Sequence, residues 1–235
     1  MTARTSLRRS TDPRVVAALV TWLTCGACSS SPGDGELGND RFLYRCVHPN
    51  DAACDTVDGT TLEEVPIIAR GATFRLVTED PANMPECPSM RLVAVAGEPV
   101  TYRAEMAGFA AVFARDPRAF VRDLFHVEVA RPTSALLLQR QGSVFVAASN
   151  MLTVPVGSTT ELRVVPLDAS GRALAGALDW TWTSTPSTLL GTVAITEGNV
   201  VVLSPTQEVN GELRVEAPGG LVAAIAFDAK AGGGS

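Results

Sequence analysis

The sequence predicts an all-β protein: two β-sandwiches in tandem behind an N-terminal segment of different character. Three observations carry this. From Val65 to Asp228 the chain runs in short stretches of alternating apolar and polar residues, the period of strands with one buried face. Gly, Pro, Asn and Asp separate the stretches, as at Asn210-Gly211 and Pro218-Gly219-Gly220, where hairpins need residues that accept positive φ. The length of 235 residues accommodates two units of about 90–100 residues, each able to bury a core.

At the N-terminus, Arg4, Arg8, Arg9 and Arg14 lead into the apolar run Val15 to Leu23 and then small residues, the three-part layout of a secretory signal. The run is too short to cross roughly 30 Å of hydrocarbon as a helix. Leu23-Thr24-Cys25-Gly26-Ala27-Cys28 resembles the lipobox of bacterial lipoproteins, whose cysteine becomes the lipidated first residue of the mature chain. Cys28, preceded by small Gly26 and Ala27, is the expected lipidation site. Cys25 is the competitor, and it stands where the family usually has Leu. The resemblance implies a signal peptide over 1–27, a membrane partner through the lipid anchor and, with Ser29 rather than Asp after the anchor, an outer-membrane lipoprotein facing the periplasm or the cell surface. Several acyl chains would make the attachment lasting. A redox or metal reading of the same two cysteines fails for want of a βαβ pattern.

Residues 28–40 are rich in Ser, Gly and acid and read as a flexible tether. The first sandwich is placed at 41–131. It opens with Phe42, Tyr44 and Cys46 on one face of a strand, followed by a polar, acidic loop from His48 to Glu64. Cys46, Cys54 and Cys87 remain after cleavage, and an oxidising envelope allows disulfides. Cys46–Cys54 is the first expectation and Cys54–Cys87 the second. Asp51, Asp55, Asp58, Glu63 and Glu64 crowd the loop, but their spacing does not match an EF-hand, so the reading is a solvated acidic loop with no metal.

Strands are expected at 65–69, 72–79, 91–96, 100–106, 109–115 and 123–130, with a helical turn over Pro117–Arg122. Arg131-Pro132-Thr133 marks the boundary, since Pro ends the preceding strand. The second sandwich, 132–229, continues with strands at 134–139, 143–148, 151–156, 160–167, 178–184, 191–196, 199–204, 211–217 and 221–228. Residues 230–235 form a flexible tail.

Val156-Gly157, Asp168-Ala-Ser-Gly171, Trp182-Thr-Ser-Thr-Pro186 and Gly211-Glu-Leu-Arg-Val-Glu-Ala217 stand in an order that resembles the bacterial immunoglobulin-like group 2 domain over roughly 133–229. The resemblance implies an immunoglobulin-like sandwich with Trp182 packed between its sheets. The strand-like segment Ser143–Ser149 is extra to that pattern. RGATFRL (70–76) echoes VGSTTEL (156–162), so the first unit reads as a diverged immunoglobulin-like sandwich.

Chemistry is sparse. The chain carries a formal charge of −6, and loss of 1–27 leaves 15 basic and 24 acidic side chains, a net −9; an acidic surface lacks the basic stripe that nucleic acid requires. Only two histidines occur, His48 and His126, and no HExxH, GxSxG, P-loop or Cys/His metal spacing is present. The reading is therefore non-catalytic, with no cofactor: a lipid-anchored envelope protein presenting its modules for adhesion, binding or spacing, with an envelope protein or polysaccharide as partner. Trp180 and Tyr102 are the candidate ligand-binding aromatics for a carbohydrate-binding alternative. An unrecognised hydrolase is the remaining alternative.

Overall fold

Residues 31–46, 51–54, 61–187, 193–194 and 198–231 are described in the computed structural model of the chain. The strands of the first half are β1 (Ser31–Pro32), β2 (Phe42–Arg45), β3 (Thr61–Leu62), β4 (Glu64–Val65), β5 (Ile68–Ala69), β6 (Thr73–Thr78), β7 (Met84–Glu86), β8 (Leu92–Ala94), β9 (Thr101–Ala104), β10 (Gly108–Arg115) and β11 (Val121–Ala130). Those of the second half are β12 (Ser134–Gln141), β13 (Val144–Ala147), β14 (Met151–Pro155), β15 (Thr160–Leu167), β16 (Thr181–Thr185), β17 (Val193–Ala194), β18 (Val200–Leu203), β19 (Val209–Ala217) and β20 (Leu221–Lys230).

Both halves solve the same packing problem in the same way. In the first, the sheet β3-β2-β6-β9-β8 faces the sheet β5-β11-β10-β7; in the second, β13-β12-β15-β18-β17 faces β14-β20-β19-β16. In each half a short early strand runs parallel to the last strand, β5 to β11 and β14 to β20, while the other pairings are antiparallel. This is the two-sheet order of an immunoglobulin-like sandwich, so the chain is two such sandwiches in series.

Alternation sets which side chains meet between the sheets. β6 reads half-buried and buried in turn, with Phe74, Leu76 and Thr78 inward, and β11 turns Asp123, Phe125, Val127 and Val129 inward. Phe42 stacks on Phe125 with centroids 5.4 Å apart, and Tyr44 on Phe74 at 6.2 Å. Burying a side chain of this kind contributes about 2–3 kcal/mol. The second core is built from Leu152, Leu162, Val164, Trp182, Leu203, Leu213 and Phe227, all buried.

The tether reading needs correction for residues 31–40. Ser31 and Pro32 pair with Val65 and Glu64, and the Phe42 N–H donates to Gly33 O at 2.7 Å. The following loop is held by one buried carboxylate, Asp123, which accepts from the backbone N–H of Leu37 (2.9 Å), Asn39 (2.6 Å) and Asp40 (2.8 Å). Gly35 packs so tightly on that carboxylate that a Cβ there would meet its carbon at 2.1 Å. A segment whose one large apolar side chain, Leu37, stays exposed is thus ordered by hydrogen bonds rather than by burial of side chains.

The helical turn expected at Pro117–Arg122 is instead the loop of the β10–β11 hairpin. Asp116 accepts from the N–H of Arg118 at 2.9 Å and of Phe120 at 3.0 Å, and Ala119 takes the left-handed conformation, φ 65°. That carboxylate offers the backbone a closed turn in place of a helix.

Candidate functional site

The sandwiches meet at a seam built by one segment of the second. Ala173–Leu178 lies between β15 and β16; Ala173 and Leu174 still pair with Leu167 and Pro166 of β15, and the residues that follow turn to the first sandwich, where Ala175 bridges Ile68 and Ala177 bridges Thr73 and Asp51. Four backbone hydrogen bonds of 2.8–2.9 Å close it, two between Ala175 and the Ile67–Ala69 stretch and two between Ala177 and Thr73. Leu174, Ala175 and Leu178 are buried there. The seam also draws in the Asp168-Ala-Ser-Gly171 turn, where Asp168 accepts from Arg172 Nε at 2.7 Å and the Arg172 Nη2 reaches Glu128 of β11 at 3.1 Å.

Asp51 lies at the centre. Its carboxylate, 3% exposed, accepts from the Gly176 N–H at 2.9 Å, from the Ala53 N–H at 3.0 Å and from the Tyr44 hydroxyl. Burial, reinforced by the Asp51 charge, pushes the Tyr44 phenol well above its ordinary value. Gly176 is obligatory in this geometry: its φ is 96°, and a Cβ would sit 2.6 Å from Ala72 Cβ.

Next to Asp51, Cys46 and Cys54 form a disulfide, Cα to Cα 5.7 Å, the pairing placed first from the sequence. Cys87 is a free, half-buried thiol. Burial raises its pKa against the opposing pull of the Ser89 and Leu92 backbone. It borders an open groove of about 500 Å³ between β7 and the β8–β9 hairpin, with Pro85, Glu86, Val95, Val100 and Tyr102.

The two aromatics named as ligand contacts are not available to a ligand. Tyr102 is 4% exposed and its hydroxyl donates to Pro85 O at 2.5 Å; burial, then the charges of Cys87 and Glu86, raises its phenol pKa. Trp180 is 8% exposed, in the coil just before β16. Both are absorbed by packing, as is Trp182, whose Nε1 donates to Gly198 O at 2.8 Å. Cys28 and His48 lie outside the described residues. His126 is exposed on β11 and pairs with Glu36.

Two structural carboxylates escaped the sequence reading. Asp51 belongs to the loop whose acids the sequence presents as solvated, yet it is buried. Asp123 carried a usable signal, since it occupies an inward position of the Phe125, Val127, Val129 alternation, where an acid has to find donors. For Asp123, burial opposes ionisation, but the N–H groups of Leu37, Leu124, Asn39 and Asp40 outweigh it and hold the carboxyl below its usual value. At Asp168, burial is likewise overcome by Ser170 and Arg172, and the carboxyl lies well below the ordinary range.

The geometry defines a tandem immunoglobulin-like unit fused at a hydrogen-bonded seam. No protein-family model matches the chain, and none of the curated proteins does. Solved structures that it resembles include domains 4 and 5 of the S-layer protein SbsC, at 13% identity over 87% of this chain and 93% of that one, TM-score 0.31. The adhesin InvE of Yersinia pseudotuberculosis is similar at 14% identity over 84% of this chain and 60% of that one, TM-score 0.33. The Bacteroides ovatus protein SGBP-B of a mixed-linkage glucan utilization locus, solved with a mixed-linkage heptasaccharide, is similar at 11% identity over 70% of this chain and 44% of that one, TM-score 0.31.

Proposed function

We propose that the chain is a lipid-anchored, non-catalytic protein of the bacterial envelope, held at the outer membrane through Cys28, that works as a stiff two-module spacer presenting its loops for adhesion or binding. The seam carries this reading. Ala175, Ala177 and Gly176 tie the second sandwich to the first through backbone hydrogen bonds and the buried Asp51 carboxylate, so the modules are not free to swing as domains joined by a linker are. Rigid sandwiches position exposed loops for contact without any buried reactive group. The second sandwich is a bacterial immunoglobulin-like domain of the group 2 type on this reading, supported by Trp182 in its core.

The test is the mass of the N-terminal peptide and the membrane fractionation of the wild type and of Cys28→Ala, with protease shaving of intact cells. Acylated Cys28 in the wild type and release of Cys28→Ala from the membrane support the reading. An unmodified N-terminus in both overturns it. Susceptibility of the wild type to shaving distinguishes presentation at the cell surface from a role on the periplasmic face.

A further inference from the structure

We infer that the tip of the β10–β11 hairpin, Arg115–Arg122, is a second point of contact with the lipid surface, its apolar side chains entering the headgroup region and its arginines facing lipid phosphate. The inference rests on the anchored reading above. Ser31 already lies in a strand, so only three peptide steps, about 11 Å of backbone, separate it from Cys28. The sandwich therefore stands directly over the bilayer instead of hanging from a long spacer.

The tip is built for such a surface. Phe120 is 62% exposed and Val121 42%, held outward by the left-handed Ala119 and by the two amides that Asp116 accepts. Around them stand Arg115, Arg118 and Arg122, with Asp116 in the loop, Glu86 on β7 and the buried Asp123 as the neighbouring acids. Arg122 pairs with Asp116 and Arg115 with Glu86, which holds both guanidinium groups at this end of the hairpin. Apolar side chains rimmed by Arg partition into the headgroup layer, where the stems are buried and the charges meet phosphate.

The fold also couples the tip to the anchor. Asp123, three residues beyond Phe120, clamps the loop that follows β1, and Asn39 donates to Arg122 O at 3.1 Å. Through Gly35, packed on Asp123, the tip lies within roughly 30 Å of Ser31 by chain length. One clamp thus sets the distance between the two contacts.

The experiment uses the full chain in a Cys87→Ser background, with Phe120→Cys carrying an environment-sensitive dye and Gln207→Cys as the control. The lipidated protein is reconstituted in vesicles of phosphatidylethanolamine and phosphatidylglycerol, and the acyl mass is read on the same sample. Blue-shifted emission at position 120, quenched by headgroup-region nitroxide lipids, with neither effect at 207, supports the proposal. In the unlipidated Cys28→Ala chain, Val121→Asp should weaken vesicle partitioning about tenfold, and Arg118→Glu with Arg122→Glu should remove its salt dependence. An acylated protein whose dye at 120 stays unquenched overturns the tip while leaving the anchor standing. Absence of acyl chains overturns the anchor, and the tip then fails if the chain added to vesicles shows no shift. Shielding at 120 in whole envelopes but not in protein-free vesicles makes the occupant a protein or polysaccharide and overturns it as well.

Discussion

The Asp51 carboxylate and the Gly176 amide, 125 residues apart in the chain, lie 2.9 Å from each other across the seam. Asp51→Ala strips Tyr44, Ala53 and Gly176 of a shared buried acceptor. Leaving such donors unpaired costs about 2–4 kcal/mol, so the melting temperature should fall by about 5–10 °C. A variant that melts with the wild type would show that the seam is not held this way.

Gly176→Ala attacks the same place from the other side. The new methyl meets Ala72 Cβ at 2.6 Å on a backbone with φ 96°, and such strain with overpacking costs about 1–3 kcal/mol. Gly219→Ala, also at positive φ but with open space around it, should lose less. Paired denaturant titrations compare the two; equal losses would remove the steric part of the argument.

Reduction of Cys46–Cys54, which spans a separation of 8 residues, should destabilise the first sandwich by about 2–3 kcal/mol on the loop-entropy account. Without reductant, the thiol among Cys46, Cys54 and Cys87 that alkylates is Cys87. Its raised pKa keeps less thiolate at pH 8 than an ordinary cysteine has, so the reaction is slow there and its rate keeps climbing at pH values where a free cysteine has levelled off. A rate that follows the free amino acid across that range would contradict the burial of the thiol.

Asp123 and Asp168 give the fold an acid limit. Both carboxyls titrate below their ordinary values in the folded chain, so the stability they contribute is complete above the unfolded pKa of about 3.9 and is lost as pH falls through the folded values. Asp123→Asn should be less stable than the wild type at neutral pH, with a gap that narrows on acidification. Unfolding curves across that window check it, and a constant gap would rule Asp123 out as a source of the acid response.

The strands were the legible part of the sequence. Thr160–Leu167 was read with its observed bounds, and Phe42, Tyr44 and Cys46 share the buried face that their alternation required. β7 was missed because Met84-Pro85-Glu86 has neither alternation nor β-branched residues, and its pairing with Phe113–Arg115 is made by the neighbour. The seam was illegible for a related reason. Ala173–Leu178 looks like a loop of the second unit, and its partners at Ile68 and Thr73 lie about a hundred positions away. Tyr102 and Trp180 are buried where the sequence offers them as contacts, because a strand pattern gives Tyr102 two faces without saying which one a second sheet covers, and the strand expected over 178–184 begins only at Thr181, after Trp180. Asp123 shows the converse case, a polar residue whose inward register pointed to a structural task.

Parallel pairing of β14 with β20 runs over five residue pairs, Met151 with Ala226 through Pro155 with Lys230. Pulling the leading end of β14 and the trailing end of β20 apart loads that ladder along its length, so its evenly spaced hydrogen bonds share the tension instead of opening one after another. β5 and β11 repeat the arrangement in the first sandwich on a smaller scale. Resistance to such traction is a matter of unfolding rate rather than of equilibrium stability, and the second sandwich spreads that load over five residue pairs where the first has two.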